Sequence, residues 1–205
     1  MTGGMRVNEQ TKAHTRRALL DAAAQAFAEH GYHQTPIDSV SQLAGVAKGT
    51  VYNYFSSKDD VLRALIQEAC ELATQAATAT PDEASTETRL QAFVEGNLQW
   101  AQSHKPLALL FARQLLAGDT RVKALIATAA APCIEKVAAI LQTGAARGEL
   151  ITDAPPEELA LTFIALTNML LLQSWDGLTR WPLPAQLPAT ATTLFLHGVA
   201  PLRDP

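Results

Sequence analysis

The chain reads as all-α: an N-terminal three-helix helix-turn-helix domain followed by a C-terminal helical domain. Three observations predict this. Apolar residues recur at helical spacing along the 205 residues, broken by Gly and Pro, and no stretch reads convincingly as a strand. Alanine, a helix former that adds little to a strand face, occurs 37 times, and aromatic residues make up only 6% of the chain. A small, polar stretch from Thr78 to Thr88 separates a segment whose only proline is Pro36 from one that has nine prolines after Pro81.

The elements follow in order. A first helix over about 11–30 puts Leu20, Ala23, Ala24 and Phe27 on one stripe, and Gly31 supplies a left-handed stop. Thr35 is the expected N-cap of the next helix, with Pro36 at its first position and Asp38 reaching back. That helix runs to Leu43 or Ala44 and breaks at Gly45; another short one covers about 48–55. Ser56 and Ser57 cap a longer helix reaching about Ala79. Further helices are expected over 87–104, 106–116, 121–147, 155–174 and 188–197. The N-terminal domain is placed at 13–73, its helix-turn-helix at about 36–55, and the C-terminal domain at 80–200.

Charge excludes binding by bulk electrostatics. There are 16 Lys+Arg against 20 Asp+Glu, a net charge of −4, but it is unevenly spread. Residues 1–63 hold seven cations and six acids; the remainder holds nine and fourteen. The first segment is therefore near neutral and permits a nucleic-acid partner without demonstrating one. Cys70 and Cys133 lie far apart, with no CxxC or His-rich spacing, so neither a metal nor a redox centre is expected and no cofactor is called for. Met1–Gln10 is polar and unlike a signal peptide, which points to a cytoplasmic chain. The most apolar run, Leu159–Leu172, falls short of the ~18–20 residues that span a bilayer, so no membrane partner is expected.

Function concentrates at residues 37–55. Ile37, Val40, Leu43 and Ala44 are expected to pack inward, Gly45 to permit the turn, and Val51 and Phe55 to anchor the second short helix. What remains outward is Lys48, Gly49, Thr50, Tyr52, Asn53 and Tyr54. A cation, hydroxyls and an amide at the start of such a helix suit base edges in a major groove. Tyr52 and Tyr54 are two apart and cannot both share the inward direction of Phe55. Tyr32 and His33 read as loop residues between helices. Lys58 sits in a first helical turn, where the macrodipole opposes a cation by ~0.3–1 kcal/mol. Alone it would pass as a solvated lysine; beside the preceding helix, an approaching phosphate accounts for it.

From Arg16 to Leu65 the chain resembles the DNA-binding domain of the TetR (tetracycline repressor) family of bacterial regulators. The residues that carry the resemblance are Ala22-Ala23, Ala26-Phe27, Glu29-His30-Gly31-Tyr32 and Thr35. They continue through Leu43-Ala44-Gly45-Val46, Lys48-Gly49-Thr50-Val51-Tyr52, Tyr54-Phe55 and Ser57-Lys58-Asp59-Asp60-Val61-Leu62. The resemblance implies phosphate contacts from Thr35, Tyr52 and Lys58, and positions nearer base edges for Lys48, Thr50, Asn53 and Tyr54, with Gly49 allowing close approach. Ala47 departs from the pattern, which has Ser or Thr there; the lost cap should cost ~1 kcal/mol.

Arg147-Gly148-Glu149-Leu150 before Pro155-Pro156-Glu157-Glu158-Leu159 is similar to the family's C-terminal domains. From 159 to 172 apolar residues point almost all round a helix: Leu159, Phe163, Leu166 and Leu170 on one side, Leu161, Ala165, Met169 and Leu172 on another. Such a helix must be covered all round. The resemblance implies that the cover is a second copy, in a two-fold homodimer through about 155–175 and 186–199. Leu159, Phe163, Leu166, Leu170 and Leu194 are the expected interface; a wholly intramolecular core helix is the alternative. A dimer would also read a palindromic operator in double-stranded DNA.

The resemblance further implies a small-molecule effector. Candidate lining residues are Phe93, Trp100, Phe111 and Leu115, then Met169 and Trp175, with His104 and Arg113 as polar contacts. Their apolar character suggests a lipophilic ligand. The reading is thus a repressor released from its operator by a ligand. Control by a protein partner is the competing reading. An enzyme on a helical scaffold is a third, but the chain has no GxSxG, HExxH, GxxxxGK[ST] or GxGxxG and no catalytic residue is assigned.

Overall fold

The computed structural model describes residues 3–81, 83–117, 120–150, 152–176 and 183–199. Every regular element among them is helical. The order is α1 (Gly3–His30), α2 (Ile37–Leu43), α3 (Lys48–Tyr52), α4 (Lys58–Thr78), α5 (Thr86–Ser103), α6 (Lys105–Ala117), α7 (Thr120–Ala146), α8 (Pro156–Asp176) and α9 (Leu187–Val199), with a 3-10 turn at Pro184–Gln186 before α9. The fold is all-α, with an N-terminal helix-turn-helix domain and a C-terminal helical domain. Two compact units form: one from residues 1–67 and 104–129, the other from 68–103 and 130–205. α6 and the start of α7 thus group with the N-terminal helices, and α4 and α7 contribute residues to both units.

In the first unit α1 packs against α2 and α6, and α2 against α3. The expected stripe of α1 is buried, with Leu19, Leu20, Ala23 and Phe27 joined by Val40, Val51, Phe55 and Leu62. Gly31 (φ 81°) and Gly45 (φ 67°) both occupy the left-handed region that favours glycine. At Gly45 the turn is a Schellman closure: Val46 N–H donates to the Ser41 carbonyl (3.0 Å) and Gly45 N–H to Gln42 (3.1 Å). Ser57 caps α4, accepting from Asp60 N–H at 3.1 Å, while the Asp60 carboxylate accepts from Ser56 N–H at 3.0 Å.

The second unit is built around α5, α8 and α9, with α9 packed on both of the others. Phe163 of α8 lies 6.2 Å (centroid to centroid) from Phe93 of α5 and 5.0 Å from Phe195 of α9. The α7 and α8 helices are long and apolar enough by length and composition to cross a membrane. α8, however, packs its aromatic side against its own unit as a bundle helix does. The end of α7 is tied to the start of α5 by the Glu149 carboxylate, which accepts from Thr86 N–H at 2.6 Å.

Gly96 sets how closely α4 and α5 approach. A Cβ there would lie 2.7 Å from the Leu72 carbonyl oxygen and 2.8 Å from Ala73 Cα, both backbone atoms. Gly96→Ala should therefore destabilise the protein by roughly 1–3 kcal/mol, outweighing alanine's better helix propensity. A lower denaturation midpoint at unchanged slope is the expected result; a more stable variant would show that the two helices separate freely.

Candidate nucleic-acid interface

The candidate surface starts from a helix too short to stand alone. α3 has five residues, and its fixed points are Val51, fully buried, and Phe55 just beyond its end. With those two turned inward, the opposite face is exposed: Lys48, Gly49, Tyr52 (49% exposed) and Asn53, flanked by Gln42 and Leu43 of α2. Leu43 is 48% exposed, so it joins this face and is not the core residue its position in the pattern implies. Thr50 and Tyr54 are half-buried at the margin. Lys48 pairs with Asp38 at 2.8 Å, and the carboxylate holds its ammonium above the usual lysine range. The pair is exposed, so a phosphate can replace Asp38 at little cost.

Ala47 occupies the N-cap of α3 in extended conformation (φ −66°, ψ 146°) with no side-chain cap bond. α2 also begins uncapped, after Pro36. Thr35 therefore does not cap α2. Its hydroxyl donates to the carbonyls of Ala26 (3.1 Å) and Gly31 (2.8 Å), and the residue is fully buried. This corrects the phosphate role for Thr35: its side chain ties the loop to α1 and does not reach solvent.

Lys58 has partners within the chain that its sequence position does not show. Its ammonium donates to three loop carbonyls, Tyr32 (2.8 Å), His33 (3.2 Å) and Thr35 (3.1 Å), and lies 4.7 Å from the Tyr32 ring centre. Three donors meet three acceptors, so the lysine that the macrodipole opposes is accounted for by the chain's own backbone. Desolvation by this partial burial lowers the Lys58 pKa. Next to it, Asp59 accepts from the Tyr32 hydroxyl and pairs with Arg121 at the start of α7. The Tyr32 bond, then Arg121, holds the Asp59 carboxyl below the usual range. Arg16, absent from the sequence-predicted set, places its guanidinium 5.6 Å from the Phe55 ring centre. Its spacing from Phe55 carries no local signal.

Residues 19–65, the stretch that forms this surface, match the family of bacterial regulatory proteins, tetR family. The fatty acid metabolism regulator protein of Bacillus subtilis (strain 168) is 46% identical over 50 residues, 24% of this chain and 26% of that protein. The matches to this and the next curated relative span 26% and 49% of those proteins' lengths. Among solved structures, the fatty acid degradation regulator FadR from Bacillus halodurans has a TM-score of 0.76 at 24% identity, over 93% of this chain and 97% of that one. FadR from Bacillus subtilis, solved in complex with stearoyl-CoA, has a TM-score of 0.76 at 21% identity, over 89% and 98%. At these identities the two structures establish the shared fold.

Beyond residues 19–65, the expected residues are distributed as follows. Phe93 and Trp100 are buried in the second unit, and Trp175 is half-buried there. Met169, expected to line a pocket, is instead 45% exposed on α8. His104 and Phe111, both half-buried, belong to the first unit. The side chains of Arg113 and Leu115 lie outside the described residues. Of the expected dimer residues, Phe163 and Leu170 are buried within their own unit and cannot face a second copy. Leu159 and Leu166 are half-buried, and Leu194 is 46% exposed. The apolar face left outward on α8 is the other stripe, Leu161 (56% exposed), Ala165 and Met169.

Ala47→Ser should supply the missing cap of α3 and raise stability by ~0.5–1 kcal/mol, read as a higher thermal midpoint. Lys58→Ala should lower stability by roughly 1–2 kcal/mol through three orphaned carbonyls, with the salt dependence of DNA binding nearly unchanged. A fully stable variant whose salt slope falls by about one would return Lys58 to a phosphate-gripping role.

Proposed function

We propose that this chain is a sequence-specific DNA-binding transcriptional regulator, a repressor released from a palindromic operator when a small lipophilic ligand binds its C-terminal domain. The observation that carries the reading is the α2–α3 surface: a buried Val51–Phe55 anchor turns Lys48, Gly49, Tyr52 and Asn53 outward from a segment of tetR-family type. Tyr52 and Lys48 meet phosphates and base edges, Asn53 reads a base, and Gly49 lets the backbone approach. The protein acts by binding and needs no catalytic residue; its place is where bacterial DNA is, in the cytoplasm.

One such helix reads few base pairs, so the chain works as a homodimer whose two α3 helices lie about 34 Å apart along the duplex. The contact runs through the outward stripe of α8, Leu161, Ala165 and Met169, with Leu194 of α9. A lipophilic effector is supported by the neighbour of like fold that holds stearoyl-CoA and by the aromatic interior of the second unit. Long-chain acyl thioesters are accordingly the first ligands to try.

Genomic footprinting of the purified protein tests this reading. Discrete palindromic sites are expected, with protection weakened by stearoyl-CoA. Tyr52→Ala should lose affinity for those sites, and Leu161→Glu should give monomers that bind them at least tenfold more weakly. Protection without sequence preference would defeat the regulator reading, and a monomeric Leu161→Glu that still binds tightly would defeat the dimer.

A further inference from the structure

α1 packs through its C-terminal part, where the buried stripe begins at Leu19. From residue 9 to Arg17 every side chain is exposed except the half-buried Thr15. This stretch carries Lys12, His14, Arg16 and Arg17 against one acid, Glu9. Arg17 pairs with Asp21 at 3.0 Å. Lys12 and Arg16, by contrast, have no hydrogen-bond or carboxylate partner among the described residues. They lie four residues apart, so they share one face of the helix a turn apart, where like charges repel. Neither core burial nor ion pairing accounts for them.

One contact fixes where this face lies. The Arg16 guanidinium stands 5.6 Å from the Phe55 ring centre, within the first unit. Phe55 comes three residues after the end of α3 (Lys48–Tyr52), which places Arg16 at that end of the candidate reading helix. A guanidinium stacked on a ring keeps its N–H edge available to a planar or bidentate acceptor such as a phosphate. We propose that Lys12 and Arg16 form a phosphate-gripping stripe that continues the α3 surface along α1 onto the backbone of the bound duplex. The duplex supplies the anions that the fold does not, and it removes the repulsion between the two cations. They act as two positioned charges in a chain whose net charge stays at −4. The stripe rests on the DNA-binding reading above and adds two contacts that no turn of α2 or α3 supplies.

The test titrates the full-length protein with a random-sequence duplex and with a fragment protected in genomic footprinting, over a series of salt concentrations. Lys12→Gln and Arg16→Gln should each lower the slope of log affinity against log salt by about one for every bound protomer. The double variant should lower it by about two, equally on both DNAs. Arg16→Lys should keep the wild-type slope, because the charge and not the ring contact meets the phosphate. Both side chains are exposed, so thermal midpoints should stay near the wild-type value. Lys12 has no ring contact, so its variant decides the matter even where Arg16→Gln loosens Phe55. An unchanged slope in the double variant, or a loss confined to the footprinted fragment, would overturn the proposal. Wild-type binding without sequence preference, with the slope still falling in the variants, would defeat the regulator reading and keep the stripe. A wild type that binds neither DNA would defeat both.

Discussion

A five-residue helix cannot hold its own conformation in water, and the candidate DNA-reading surface is such a helix. Everything around α3 supplies what its own hydrogen bonds do not. Val51 and Phe55 sink into the core that α1 prepares with Leu20, Ala23 and Phe27. The Schellman turn at Gly45 fixes where α3 begins, and Ser57 fixes where α4 takes over. Between α1 and α2 the chain would otherwise leave a row of loop carbonyls open; Lys58 closes three of them and Thr35 ties the loop back to α1. The exposed Lys48, Gly49, Tyr52 and Asn53 are thus oriented by residues that need not touch DNA.

Charge in this unit is largely committed internally. Lys48 faces Asp38, Arg63 faces Asp60, and Arg121 faces Asp59. With cations and acids nearly balanced over residues 1–63, bulk attraction to phosphate contributes little, and on the proposed reading affinity comes from positioned hydroxyl, amide and backbone groups doubled by a dyad. The exposed Lys48–Asp38 pair can exchange its carboxylate for a phosphate, whereas the Lys58 ammonium has three loop carbonyls around it.

The C-terminal half turns on how one apolar helix divides its surface. Phe163 and Leu170 of α8 face inward, where Phe163 meets Phe93 and Phe195, while Leu161, Ala165 and Met169 face out. Burial inside one chain therefore accounts for one side only. A second copy of the chain covers the other on the proposed reading, which also provides the paired heads that an operator needs.

The amino-acid order by itself determined the helical class, the element order and the helix-turn-helix register. Each rests on local physics: apolar spacing, Gly at left-handed turns, Ser at a helix start, and Val51 and Phe55 four residues apart. It also marked Ala47 as an uncapped start, because a cap needs only its own residue and the next turn. Tertiary structure decided what depends on partners distant in sequence. The partners of Lys58 are carbonyls 23–26 residues upstream, which local spacing does not show, and Thr35 reads as a cap until its hydroxyl meets Ala26. Two apolar stripes on α8 are equal by periodicity; only packing on α5 and α9 shows which one is core.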